Sequence, residues 1–333
     1  MNQRAPSSLP LLSSLSPLPI AFSTVDIDSV TASSVIFPSA VNAAKTAAPA
    51  SRIAGPRQRG WPARLLRSPS ALTGAVLLAL VLMMAASAGW LFPGDPLDMV
   101  AEPFLHVGAD PAFPLGTDML GRDLLSGIFH GARVSLLIAV VSTLLSLALG
   151  VSGGLLAGYY GGRADALLMR VTEFFQTIPS FLFALAIVAV AQPSLLTISL
   201  AIGVTAWPSL ARLVRAEVLK LRHGEMVQAS AALGASDTRI MLRDILPNTL
   251  TPILVSTSLM VATAILTESS LAFLGLGDPN ASSWGNMVGA GREVIRTDWS
   301  IATIPGIAIV VTVLALNLLG DGLADVLDPR DRK

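Results

Sequence analysis

The chain has 333 residues, of which 53% are hydrophobic and 13% are charged, and its basic and acidic residues balance at 22 each. Soluble domains carry about 25% charged residues, so this composition indicates an integral membrane protein. The balanced charge provides no basic field for nucleic acid. The absence of cysteine excludes a disulfide framework and thiolate metal sites.

Residues 1–60 are rich in serine, alanine and proline and show no helical periodicity, which predicts a disordered extension. The stretch "LPLLSSLSPLPIAF" is apolar enough to suggest a secretory signal, but its prolines interrupt the core that such a signal needs. A misassigned start codon is a third explanation. We therefore divide the chain into a cytoplasmic extension, 1–60, and a transmembrane domain, 61–333.

The rest of the chain contains six stretches that could cross a membrane. A spanning helix needs about 20 mostly apolar residues. Pro193 in "AQPS" divides one long apolar stretch in two, because proline cannot continue a helix without losing a hydrogen bond. These patterns predict an all-α, polytopic membrane helix bundle with transmembrane helices at about 71–93, 134–160, 166–191, 195–215, 247–272 and 299–320.

The distribution of Arg and Lys predicts the orientation of the bundle. Seven precede the first span, six lie between Arg212 and Arg243, and three more close the chain, whereas the two large loops on the other side hold two each. Basic residues concentrate on the cytoplasmic side of a membrane. Both termini and the 212–248 loop are therefore predicted to be cytoplasmic.

Small and charged residues within the spans predict local contacts. Gly150, Gly154 and Gly158 recur every four residues, which lets helices approach closely. Packing inside the bundle is the favoured interpretation, and a subunit interface is the alternative. Arg170 and Glu173 are three residues apart and could pair on one helix face.

One carboxylate, Glu268, falls within a predicted span. Such a group is by default a functional hypothesis. However, "SSLAFLGLG" follows it and resembles the end of a helix, which favours a structural position. The three histidines, 106, 130 and 223, are scattered in predicted loops and are expected to be solvated.

The outer segment "GTDMLGRDLLSGIFHGAR" predicts an amphipathic helix on the membrane or against the bundle. Thr117 or Asp118 could cap it, because a side-chain oxygen can accept from a free backbone amide. Its apolar residues would then share one face.

Catalytic signatures are absent from the sequence. It contains no GxxxxGK[ST] phosphate loop, no HExxH and no GxSxG. If the protein uses ATP to move a solute against its concentration gradient, another chain must hydrolyse the ATP. We therefore expect no cofactor in this chain and no enzymatic activity of its own.

The charged stretch between the fourth and fifth spans predicts a helix–turn–helix. "GEMVQASAAL", from Gly224 to Leu233, is rich in helix formers. Gly234 suits a left-handed helix end. Ser236 or Asp237 could cap a second short helix, and Leu246-Pro247 would stop it and begin the next span. Ile240, Met241 and Ile245 would form an apolar ridge, which either enters a groove of another protein or packs on its own bundle.

This stretch resembles the cytoplasmic EAA loop of binding-protein-dependent ABC importer permeases. That loop carries Glu-Ala-Ala, three residues, Gly, nine residues, a hydrophobic residue, any residue, and Leu-Pro. Gly234 and Leu246-Pro247 stand at the matching positions. Gln228-Ala229-Ser230 replaces Glu-Ala-Ala, and Asp244 replaces the hydrophobic residue. Gln228 keeps the length of Glu but loses its charge.

The resemblance extends over about residues 60–333. "LGTDMLGRDLLSGIFHGARVSL", "GYYGGRADALLMR", "AFLGLGDPNASSWGNM" and "LNLLGDGLADVLDPR" are similar to segments of the dipeptide/oligopeptide/nickel permease family, in its shorter permease subunit. The resemblance implies a second homologous permease, two ABC ATPase subunits that bind ATP, and an extracytoplasmic substrate-binding protein. It also implies that the ATPases dock on Gln228, Ala229, Ser230, Gly234, Leu246 and Pro247.

Other functions remain to be weighed against this resemblance. A secondary transporter or channel would need no ATPase, but it usually shows ion-coupling residues or inverted repeats. A membrane-anchored enzyme would need a site constellation. A permease-like scaffold without transport is the third alternative.

Overall fold

The computed structural model of the chain describes residues 68–327. Over that range the fold is helical, and β-structure is limited to two isolated bridges, Asp110–Phe113 and Thr117–Asp123. The predicted disorder of 1–60 and the basic residues that flank the bundle lie outside the described residues.

Ten helices run through the described residues. In chain order they are α1 Pro69–Leu91, α2 Leu124–Tyr160, α3 Gly162–Thr177, α4 Ser180–Ala191, α5 Leu195–Arg222, α6 Glu225–Ala232, α7 Asp237–Arg239, α8 Leu246–Leu271, α9 Trp284–Glu293 and α10 Ser300–Leu327. π-Helical turns at Ile240–Ile245 and Ala272–Leu276 extend α8 at both ends.

Five of these segments are long and apolar enough to cross a membrane: α1, α2, α5, α10 and the continuous segment Asp237–Leu276. A sixth span is complete only if the pair α3 and α4, bent by 79°, counts as one. The bend falls at Pro179, because proline fixes its own backbone and restricts the residue before it. The predicted all-α membrane bundle is confirmed.

The start of α2 differs from the prediction. The helix begins at Leu124, where the Asp123 carboxylate accepts a hydrogen bond of 2.9 Å from the backbone amide of Leu125. Thr117 caps no helix; it is fully buried and donates a hydrogen bond of 2.6 Å to the carbonyl of Glu102. Asp118 closes a turn with the amide of Arg122, at 2.9 Å. The predicted amphipathic helix is therefore replaced by turns before Leu124, because these side chains bind loop amides and carbonyls.

Close approach of α2 and α5 forms one part of the core. A Cβ at Gly150 would lie 2.9 Å from Leu210, and a Cβ at Gly158 would lie 2.7 Å from Val218. A Cβ at Gly154 would lie closer still, 2.5 Å from the backbone carbonyl oxygen of Ala211 in α5. The predicted role of this glycine series in packing inside the bundle is confirmed. The Arg170–Glu173 pair also forms, at 3.9 Å, but both side chains are exposed, so it adds little stability.

The bundle has two ends that carry different connecting segments. The loop end carries residues 224–247, and the distal end carries residues 92–123 and 272–299. At the distal end Trp284 is fully buried; its ring nitrogen donates to the carbonyl of Ile128 at 2.9 Å, and its amide donates to Ser135 Oγ at 3.2 Å. These bonds fasten α9 to α2.

Glu268 lies in the last turn of α8, as "SSLAFLGLG" predicted. Its side chain is 1% exposed, and it accepts a hydrogen bond of 2.6 Å from Ser283 Oγ, the residue that caps α9. Within the described residues this carboxylate has a structural position: it joins the end of one helix to the start of the next.

The expectation that all three histidines are solvated is partly wrong. His106 and His223 are exposed. His130 instead lies in α2, half-buried, with its ring nitrogen 2.9 Å from the carbonyl of Phe92. The exposed His106 still contacts a buried partner, Asp298 Oδ2, at 3.1 Å. Sequence position alone does not show these contacts, since the partners are distant in the chain.

Candidate functional site: the 224–247 loop

The first half of the loop is a short helix with a left-handed end. α6 spans Glu225–Ala232, and Gly234 has φ +81°. The amide of Ala235 donates to the carbonyl of Ser230 at 3.1 Å, which satisfies one of the free carbonyls of the last turn. The predictions of a helix over this stretch and of a left-handed Gly234 are confirmed. A Cβ on Gly234 would meet nothing within 4 Å, so the constraint here is conformational and not steric crowding by neighbours.

The second half of the loop is joined to the following span. Ser236 occupies the cap position of α7, but its side chain makes no capping hydrogen bond. Leu246-Pro247 begins α8, as predicted. It does not stop the preceding helix, because Pro247 stands in the first turn of α8, where a missing amide is tolerated, and the π-helical turn connects directly to it. From Asp237 to Leu276 the chain is one helical segment.

The apolar residues of the second half face inward. Ile240, Met241 and Ile245 are 2%, 6% and 0% exposed, and they belong to a cluster with residues of α5 that include Val214 and Val218. The prediction that this ridge could enter a groove of another protein is therefore wrong, and the alternative, packing on its own bundle, is observed. Burying an apolar face against the nearest apolar helix removes it from water at once.

A different surface of the loop faces outward. Gln228, Ala229 and Gly234 are exposed, and Ser230 is half-buried. Leu233 is 89% exposed. We call these five residues the α6 surface. Leu233 is not among the predicted docking residues, although its place directly before a left-handed glycine is a signal that the sequence contains.

The predicted docking residues form two groups. Four of them, Gln228 to Ser230 and Gly234, are brought together in the α6 surface. The other two, Leu246 and Pro247, lie beyond the π-helical turn at the start of α8, half-buried and exposed respectively. The Gln228 side-chain amide donates to the carbonyl of His223 at 3.1 Å, so it is held against the end of α5.

Polar contacts tie the loop end to the bundle. The Tyr159 hydroxyl, in the last turn of α2, donates to Asp237 Oδ1 at 2.9 Å. Arg215 of α5 binds Asp165 of α3 through two hydrogen bonds of 2.5 and 2.6 Å. A bidentate pair of this kind fixes orientation as well as adding energy. Within residues 68–327 no cluster of His, Asp or Glu suits a metal ion.

A bundle of five or six membrane-capable segments with an exposed helical loop at one end has the form of a membrane transport subunit. A family model described as "Binding-protein-dependent transport system inner membrane component" matches residues 150–333. The chain belongs to this family of ABC importer permeases. The family description and the apolar helices indicate a multi-pass protein of the plasma membrane.

Curated relatives cover most of the chain. It is 41% identical over 266 residues to the di/tripeptide transport system permease protein DppC of Pseudomonas aeruginosa, covering 78% of this chain and 88% of that one. It is 44% identical over 269 residues to a putative peptide transport system permease protein of Brucella suis, covering 80% and 90%. It is 37% identical to the glutathione transport system permease protein GsiD of Pectobacterium atrosepticum, covering 80% and 89%.

A solved structure supports the fold. An inward-facing MetNI methionine ABC transporter structure aligns with a TM-score of 0.52 at 18% identity, covering 61% of this chain and 97% of that one. The two chains therefore share a helical architecture.

Proposed function

We propose that this permease carries peptides or related small solutes, such as dipeptides, oligopeptides or nickel complexes, into the cytoplasm by alternating access. Support for the solute class comes from the relatives, whose names include di/tripeptide, peptide and glutathione transport. The observation that carries the transport mechanism is the α6 surface, because Leu233 beside a left-handed glycine is 89% exposed and is not packed on the bundle.

In this proposal the chain works with four kinds of neighbour. They are a second homologous permease, two ABC ATPase subunits, an extracytoplasmic substrate-binding protein and the lipid bilayer. ATP binds to the ATPase subunits, and this chain holds no cofactor. Both termini and the 224–247 loop face the cytoplasm, which the asymmetric distribution of Arg and Lys supports.

The contacts of the loop suggest how it would transmit motion. Gln228, Ala229, Ser230 and Gly234 would meet the ATPase, while Leu246 and Pro247 would fix the angle between loop and span. Because Ile240, Met241 and Ile245 pack on α5, a displaced loop carries α5 and α8 with it. A partner shifts such an equilibrium only through contacts that differ between the two states.

The test is to isolate the chain from native membranes with its partners and identify them by mass spectrometry. Recovery of a second permease and of ATPases, with ATP hydrolysis stimulated by a solute-loaded binding protein, is the expected result. The chain recovered alone, with solute flux in liposomes indifferent to ATP, would overturn the proposal in favour of a secondary transporter or channel.

A further inference from the structure

A cavity of about 350 Å³ opens at the distal end, away from the α6 surface. It lies between the turns before α2, the start of α2, and the connection from α8 into α9. Small-molecule sites occupy clefts of about 300–1,000 Å³, so this cavity suits a small ligand. It does not have the size of a site for a long peptide.

Two guanidinium groups line this cavity without a carboxylate partner. Neither Arg122 nor Arg292 forms an ion pair within the part of the chain that the structure describes. Arg122 Nε is buried and makes no hydrogen bond to any residue of 68–327. Within residues 68–327 the positive charges of these two guanidinium groups are balanced by no ion pair, so the cavity favours an anion.

Arg292 lies over the face of an aromatic ring. Its guanidinium carbon lies 4.9 Å from the centre of the Phe273 ring, a cation–π contact. The hydrogen-bonding edge of a guanidinium held over a ring face remains available, and it matches a carboxylate in two-point geometry.

The cavity also offers negative charge and apolar surface. Asp118, Asp123 and Glu293 line it, and the two aspartates each use Oδ1 to accept from nearby backbone amides. Their second oxygens are not used in those bonds. Met119 and Met287 supply adaptable apolar lining. Both signs of charge therefore occur in one small cavity.

We infer that this cavity binds a small zwitterionic peptide of two or three residues, with its terminal carboxylate at Arg122 and Arg292 and its ammonium group towards Asp118 or Asp123. The site would receive solute on the outer side before it enters the pathway. This inference rests on the proposed function for the solute class and for the outward orientation of the distal end.

The experiment measures direct binding to the full chain with its partner subunits in lipid nanodiscs, without the substrate-binding protein. The probes are radiolabelled trialanine, unlabelled dialanine and trialanine as competitors, and C-terminally amidated trialanine. The variants are Arg122→Gln and Arg292→Gln, with Arg296→Gln as the matched control, since Arg296 is exposed on the same segment and does not line the cavity.

Saturable binding is expected, weakened at least about tenfold by either cavity substitution and by amidation of the probe, because each removes a charge-assisted hydrogen bond. Arg296→Gln should bind as the unaltered chain does. If Arg122→Gln fails to assemble, the exposed Arg292→Gln still tests the site.

Three results would overturn the inference. They are no saturable binding, equal binding of the amidated probe, and a loss of binding-protein docking in the cavity variants without any direct peptide binding. The last result would assign the cavity to an acidic side chain of the binding protein. ATP-driven peptide uptake, measured in parallel with the unaltered complex, tests the proposed function separately, because uptake can be intact while the cavity stays empty.

Discussion

The loop end and the distal end of the bundle are constructed differently. At the distal end buried polar groups form hydrogen bonds between distant segments, as Trp284 does with Ile128 and Glu268 does with Ser283. At the loop end one side of the loop is packed on α5, and the other side leaves Leu233 almost fully exposed. One end is held by hydrogen bonds between distant segments, whereas the other leaves an apolar side chain uncovered.

The largest expected effect is on the distal end. Trp284→Ala should lower the free energy of unfolding by about 3–5 kcal/mol, because it leaves a cavity and removes the bond to Ile128. Trp90→Ala is the matched control, since Trp90 is 88% exposed and should change stability far less. Thermal unfolding in detergent measures both. Equal losses would mean that α9 does not hold the distal end together.

Next in size is a substitution at the loop end. Gly234→Val places a β-branched residue at φ +81°, which costs about 1–3 kcal/mol of backbone strain. No neighbouring atom lies within 4 Å of the added Cβ, so the substitution causes no steric clash there. We expect ATP-driven uptake to fall at least about tenfold while the complex still assembles. Gly234→Asn should retain most uptake, because asparagine tolerates this backbone region. Normal uptake by the valine variant at normal membrane levels would remove the α6 surface from the coupling mechanism.

A smaller effect is expected where the loop is tied to α2. Tyr159→Phe removes only the hydroxyl that binds Asp237. The free energy of unfolding should fall by about 0.5–1.5 kcal/mol, the net contribution of one hydrogen bond. The ratio of solute transported to ATP hydrolysed should fall, with little change in complex yield. Tyr160→Phe is the control, because Tyr160 is 48% exposed and donates no side-chain hydrogen bond within the described residues. An unchanged ratio in Tyr159→Phe would show that this bond does not transmit loop motion.

The smallest expected effect is a pH dependence at the distal end. Burial alone raises the pKa of the Asp298 carboxyl, but hydrogen bonds from Ser300 and His106 outweigh it and leave that pKa below its ordinary value. A lowered folded-state pKa contributes stability above the unfolded-state pKa, and this is lost as pH falls through the folded-state value.

Thermal unfolding between pH 3 and 6 should therefore show a small acid-side loss that Asp298→Asn removes. The loss is small because His106 is largely exposed and its contact is screened by solvent. Asp98→Asn, at an exposed residue, should leave the pH profile unaltered. A profile that Asp298→Asn does not change would assign the acid sensitivity to another carboxylate.

Local features were predictable from the sequence, and pairings across long separations were not. The left-handed turn at Gly234 was predictable because few residues other than glycine adopt a positive φ. The spacing of Ile240, Met241 and Ile245 identified one apolar face, but periodicity does not say which neighbour covers it. The sequence predicted a helix cap at Thr117 or Asp118, whereas the cap of α2 is Asp123. All three side chains carry an oxygen that can accept from a backbone amide, so residue type alone does not distinguish them. The bond from Trp284 to Ser135 joins residues 149 positions apart, and nothing local indicates it.

Asp237–Leu276 is one continuous helical segment, and this continuity limits where the chain can tolerate an inserted or deleted residue. One residue inserted in a helix turns every later side chain by about 100° and moves it about 1.5 Å along the axis. An insertion between Ile245 and Glu268 would thus carry that carboxylate away from Ser283. The largely exposed turn at residues 107–113 lies outside the helices and outside the proposed site, so a change of length there does not rotate a following side chain. Insertions and deletions among relatives should accumulate there, and the forty residues from Asp237 to Leu276 should keep a constant length.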